Sequence, residues 1–149
     1  MNMKKILVVA VLILLLTGCG GTMNAEIPKG YISKTEYYDK DGIQDHTDYA
    51  KYVYDKVIVE NDNNYTKVST DDIENIKSYF NDFKAVVESL KRLNEYDFDV
   101  NSITENDYVR IVTKEGTPIG DSIYGRFDNY SVFLFDSETL TLYYIHNNI

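Results

Sequence analysis

The chain has 149 residues, with 24 acidic against 15 basic side chains and a net charge of −9. That balance argues against a nucleic-acid partner, since phosphate binding needs a basic patch and none is visible. The length excludes a two-lobed solute-binding architecture and suits one domain with a real core, and the single cysteine excludes internal disulfides and thiolate metal clusters.

Met1 to Lys5 carries Lys4 and Lys5 and no acid, and an uninterrupted apolar run from Ile6 to Leu16 follows. This run is shorter than the about 20 apolar residues that cross a bilayer. It also lacks the polar positions at helical spacing that a core helix shows. A positive start, a short apolar run and small residues after it mark a cleaved export signal. Leu16-Thr17-Gly18-Cys19 then resembles the lipobox of bacterial lipoproteins: a branched apolar residue, two small residues and an obligatory cysteine. The resemblance implies cleavage between Gly18 and Cys19, with a diacylglyceryl group on the Cys19 thiol. Residues 1–18 are then the removed signal peptide, residues 19–30 the lipidated cysteine and its tether, and residues 31–149 a single acidic domain. One acyl chain gives only marginal binding, at about 0.8 kcal/mol per buried methylene, so two chains on one cysteine suffice for anchoring. The expected location is the cell membrane, lipid-anchored and facing the extracytoplasmic side.

Loss of residues 1–18 removes Lys4 and Lys5 and no acid, which takes the net charge from −9 to −11. A body this acidic is expected to stand off an anionic bilayer, and a charge-steered partner would be cationic. Gly20 to Gly30 reads as a short tether, so the domain stays close to the membrane.

Tyr31 to Tyr38 is rich in β-formers, and Tyr49 to Val59 is a stronger strand candidate. Asp39-Lys40-Asp41-Gly42 between them is a hairpin turn signal, and Glu60 to Asn64 is a second polar turn. A helix is expected from about Thr70 to Leu93. Ser69 or Thr70 can cap it, and Asp71, Asp72 and Glu74 suit the positive end of its dipole. Ile73, Ile76, Phe80, Phe83, Val87 and Leu90 recur at three and four residues and draw one apolar stripe. Its polar face mixes acid and base, unlike the basic face of a membrane-lying helix. Asn94 to Asp107 reads as a loop with a short strand at Tyr96 to Val100. Strands follow at Tyr108 to Thr113, Tyr130 to Asp136 and Thr139 to His146, the last two flanking a tight Ser137-Glu138 connection. Lys114 to Asn129 holds Gly116, Pro118, Gly120 and Gly125 and reads as a long loop. The order predicts an α+β fold: an antiparallel sheet of about four to six strands with one long amphipathic helix packed on one face.

Asp39, Asp41 and Asp45 offer carboxylates around Gly42, which is what a calcium loop needs. Against the helix-loop-helix calcium pattern, however, the glycine falls two places early and Ala50 stands where a bidentate glutamate belongs, so a hairpin turn is preferred. Asp45, His46 and Asp48 alternate on a strand and would split between its faces. His146 ends the last strand and reads as an edge residue. No Gly-x-Ser-x-Gly elbow occurs, and Gly120 to Gly125 precedes Arg126-Phe127 rather than the Lys-Ser or Lys-Thr of a phosphate loop. Asp97 and Asp99 could face one way on an extended segment, but with 24 acids such a pair identifies no catalyst.

Fourteen tyrosines, six phenylalanines and no tryptophan suit half-buried strands, where the ring packs and the hydroxyl stays wet. The leading expectation is a non-enzymatic binding lipoprotein, without cofactor, that captures a cationic peptide or protein. A carbohydrate- or wall-binding module using Tyr49, Tyr52 and Tyr54 is the alternative, and a small metal-dependent hydrolase is the third. Oligomeric state is not encoded in any motif. Cys19→Ala is expected to release or mislocalise the protein without unfolding it; a Cys19→Ala chain still processed and membrane-bound on cell fractionation overturns the lipid reading.

Overall fold

The computed structural model describes residues 27–38, 46–113 and 129–148. Within them the order is β1 (Ser33–Tyr37), β2 (His46–Val53), β3 (Thr66–Lys67), α1 (Thr70–Ser89), β4 (Tyr108–Thr113), β5 (Asn129–Asp136) and β6 (Thr141–Asn148). The strands form one sheet in the order β1-β2-β6-β5-β4-β3, and every pairing is antiparallel. A six-stranded antiparallel sheet with one long helix therefore answers the α+β expectation.

Alternation along the strands sorts the apolar residues into two sets. Tyr37, Tyr49, Ile145, Val132 and Ile111 stand opposite one another across five strands. All but Tyr37 are buried, in one cluster with Ile76, Tyr79, Phe80, Phe83 and Val87 of α1. The neighbouring positions Ala50, Tyr144 and Phe133 also face one another across three strands. They belong to a second cluster with Tyr52, Tyr54, Phe135 and Leu142, to which Ile27, Val59 and Tyr65 add from the connecting segments. β5 is buried along most of its length, which explains why both of its faces are apolar in sequence.

Strand ends differ from the expected ones because partners set them. Val53 pairs with Thr141, the first residue of β6, and past it one bond from Tyr54 N to Leu140 O at 2.9 Å leads into the turn. β2 therefore stops at Val53, well before Val59, and it starts earlier, at His46 opposite Asn148. Ser137 to Leu140 makes a four-residue turn in place of the expected two-residue one. Asp136 Oδ1 accepts from the backbone N–H of Glu138 and Thr139, each at 2.9 Å, and Leu140 takes a left-handed φ of 54°. Tyr96 to Val100 is not a strand. Tyr96 and Phe98 turn their rings to the first cluster, and Asp99 accepts from Asn101 N to start a 3-10 turn at Val100–Ser102. β3 was not foreseen, being two exposed residues paired with Tyr108 and Val109.

The helix also ends earlier than its periodicity suggested. Lys91 has a left-handed φ of 60°, with Lys91 N bonded to Glu88 O and Arg92 N to Val87 O. That pair of bonds is a Schellman stop with lysine in the position glycine prefers. Leu90 consequently leaves the apolar stripe and is 46% exposed, while Tyr79, outside the expected stripe, is buried. At the other end Ser69 does not cap with its side chain; its hydroxyl donates to Asp72 Oδ2 at 2.5 Å. Arg92 Nη1 reaches Thr47 O at 3.3 Å, which ties the segment after α1 to the start of β2.

Phe83 and Leu90 should therefore respond differently to truncation. Phe83→Ala is expected to cost about 3–5 kcal/mol and Leu90→Ala about 0.5 kcal/mol or less, as read from urea unfolding midpoints.

Candidate functional site

Gly18 and Cys19 lie outside the described residues, so the structure bears on them through the place where the chain from Cys19 reaches the domain. Ile27 is already buried in the second cluster. Tyr54 donates its hydroxyl to Pro28 O at 2.7 Å. Gly30 has a φ of 99°, a backbone conformation that side-chain-bearing residues rarely adopt. Beyond it the Tyr31 ring lies 5.2 Å from that of Tyr52 and meets Tyr54 edge-on at 6.4 Å. Ile32 N then donates to Val53 O at 2.7 Å, and β1 begins. Ile27 and Pro28, which sequence alone assigned to the tether, are thus packed and bonded into the second cluster.

Around this corner the polar atoms are paired. Tyr52 donates to Glu36 Oε1 at 2.7 Å, and Lys34 Nζ lies 2.7 Å from Glu36 Oε2. Burial pushes the Glu36 carboxyl up, but hydrogen bonds from Lys34, Tyr38 and Tyr52 outweigh it and hold the group below its ordinary value. Burial also pushes the Tyr38 hydroxyl up to about 12, and raises Tyr52 and Tyr54 further. These hydroxyls stay protonated and act as donors throughout the physiological range.

Tyr49, Tyr52 and Tyr54 do not form the ligand face expected of them. They are 2%, 1% and 2% exposed respectively. Tyr49 belongs to the cluster containing α1, while Tyr52 and Tyr54 belong to the other. Stacking on a sugar needs an open ring face, and these faces are covered by Tyr37, Tyr96, Tyr31 and Phe135. Tyr49 donates to Asp97 Oδ1 at 2.6 Å, and Lys51 Nζ bonds the other carboxylate oxygen. Burial raises the Asp97 carboxyl, yet the Lys51 and Tyr49 bonds bring it below its ordinary value. Its charge therefore adds stability above the usual carboxylate range, lost as pH falls through the lowered value. At 61% exposure that contribution is small. Asp97 and Asp99 do not act as a pair, since Asp99 serves the 3-10 turn.

His146 is not an edge residue, because β6 lies between β2 and β5. It stands opposite Asp48 on one side and Ser131 on the other. Ser131 Oγ is 2.9 Å from His146 Nδ1, and Tyr130 O is 3.0 Å from the same nitrogen. Tyr130 O can only accept, whereas Ser131 Oγ can donate or accept, so the roles at Nδ1 follow the imidazole tautomer. Asp48, His146 and Ser131 thus stand in one row across β2, β6 and β5. His46, half-buried, opens β2 opposite Asn148. Asp39, Asp41 and Asp45 lie outside the described residues. Among the described residues no group of three or more His, Cys, Asp or Glu side chains is placed to hold a metal ion.

Sequence reading missed the Tyr54–Pro28 clasp, for which the only local signal was Gly30 and Pro28 flanking Lys29. Tyr54→Phe removes that bond alone. It is expected to cost about 0.5–1.5 kcal/mol and to speed tryptic cleavage after Lys29 without changing cleavage within α1; unchanged cleavage after Lys29 contradicts the clasp.

A family model described as a prokaryotic membrane lipoprotein lipid attachment site matches residues 3–19. No curated protein and no solved structure matches the chain. The match begins next to the positive start, runs through the apolar segment and ends on the cysteine after Leu16-Thr17-Gly18; the chain is the precursor of a bacterial lipoprotein, anchored to a membrane through covalent lipid.

Proposed function

We propose that residues 1–18 are removed, that Cys19 carries the lipid, and that the remaining acidic domain faces the extracytoplasmic side as a binding protein for a cationic peptide or protein. In this reading α1 is an amphipathic layer on one face of the sheet and leaves its acids to solvent. The observation that carries it is charge: removal of residues 1–18 deepens the net charge from −9 to −11. Asp71, Glu74, Glu88, Glu105 and Glu138 are among the exposed acids. A surface of one dominant sign raises the local concentration of opposite charges and speeds their encounter. A carbohydrate-binding reading has no comparable support once Tyr49, Tyr52 and Tyr54 are buried.

Calorimetric titration of the mature protein with a lysine-rich peptide tests the reading. Affinity is expected to fall steeply as the Debye length shrinks from about 10 Å at 0.1 M salt to about 3 Å at 1 M. Absence of binding at 0.1 M, or affinity unchanged at 1 M, contradicts it.

A further inference from the structure

The acidic body carries a small basic and apolar corner where the anchored chain enters it. Among the described residues the exposed large apolar side chains are Tyr31, Ile32, Val57, Leu90 and Leu93. The first three belong to two segments joined by the Tyr54–Pro28 bond, the Tyr31–Tyr54 ring contact and the Ile32–Val53 bond. Ile32 is 68% exposed, a high value for an isoleucine held in place by a backbone bond. The same two segments, residues 27–36 and 53–58, contain Lys29, Lys34 and Lys56 against Glu36 and Asp55, a local balance of +1 in a chain of −9. Lys34 shares its charge with Glu36, while Lys29 and Lys56 are exposed.

Distance selects the occupant. Ile27 lies eight residue steps on from Cys19, and at about 3.3–3.6 Å per step these reach no further than about 29 Å. The corner is thus held within one tether length of the bilayer that takes the lipid. Leu90 and Leu93 lie elsewhere, since Arg92 between them bonds Thr47 O. Thr47 is six residues along β2 from Val53, about 20 Å at the rise of a strand.

We propose that this corner, formed by Lys29, Tyr31, Ile32, Lys34, Lys56 and Val57, docks on an anionic phospholipid surface and sets the orientation of the domain on its membrane. The inference goes beyond the capture of a cationic partner and survives its failure. Lysines near an anionic surface each strengthen attachment about fivefold. Tyr31 suits the headgroup level, with an apolar ring and a wet hydroxyl, and Ile32 and Val57 supply apolar area. The opposite end of β2 then points away from the bilayer, and the acidic body stands off it as expected.

The chain has no tryptophan, so Ile32→Trp at its exposed position gives a single reporter, and Val57→Trp a second one for the same corner. The mature lipidated protein is reconstituted in phosphatidylglycerol or phosphatidylcholine vesicles with brominated acyl chains. Both reporters are expected to blue-shift and to be quenched at least about fivefold more in phosphatidylglycerol, while Leu90→Trp is quenched in neither. Adding Lys29→Gln and Lys56→Gln to either reporter is expected to bring quenching down to the phosphatidylcholine level. Equal quenching in the two lipids, none in either, or full quenching after both lysine changes overturns the proposal.

Discussion

The last strand of the chain enters the middle of the sheet, and the rest of the domain depends on that insertion. β6 bonds β2 along one side and β5 along the other, so among the described residues the sheet ladder from β1 and β2 to β5, β4 and β3 runs through it. Its alternating residues serve both cores, with Ile145 in the cluster that contains α1 and Leu142 and Tyr144 in the other. Thr47 and Asn147, bonded at 3.3 Å across β2 and β6, are 100 positions apart in sequence. A closure of that span is costly in chain entropy before any contact repays it, and non-local pairing of this kind slows folding.

Tyrosine in this protein is chiefly a core residue that keeps a polar end. Burying a ring contributes a large apolar area, but the hydroxyl must find a partner or its desolvation goes uncompensated. Tyr49 uses Asp97, Tyr52 uses Glu36, Tyr54 uses Pro28 O, and Tyr130 uses Asp82 Oδ2 at 3.0 Å and Tyr79 O. Three of these bonds tie a strand to a loop, the edge strand or α1, and the Tyr54 bond ties the segment after β2 to the one before β1, so the aromatic content holds peripheral segments as well as filling space. Burial raises all four hydroxyls above their ordinary value, which preserves them as donors.

Charge is divided in the same economical way. Exposed acids among the described residues include Asp71, Glu74, Glu88, Glu105 and Glu138, whereas the corner that receives the anchored segment is locally basic and apolar. Net charge describes the body as seen from a distance, but within about a Debye length local groups decide what a surface attracts. The acidic total is therefore compatible with a membrane-facing corner.

Features that depend on neighbouring residues in the chain were legible in the sequence. The lipid attachment signal is read linearly from Leu16 to Cys19. α1 starts where expected because its apolar spacing and first-turn acids are local, and β4 spans Tyr108–Thr113 as expected. Features that depend on a distant partner were not legible. A two-residue turn would have set Tyr144 opposite Ser131; the four-residue turn sets His146 there instead. β2 stops where β6 begins, Leu90 is exposed because Lys91 reverses the backbone, and Tyr49, Tyr52 and Tyr54 are buried on opposite sides of a sheet. The sequence by itself determined the anchor, the helix and the α+β class, since these follow from composition and short-range period. Tertiary structure alone decided register, burial and the docking of Ile27 and Pro28, because each is a contact between segments that no local pattern brings together.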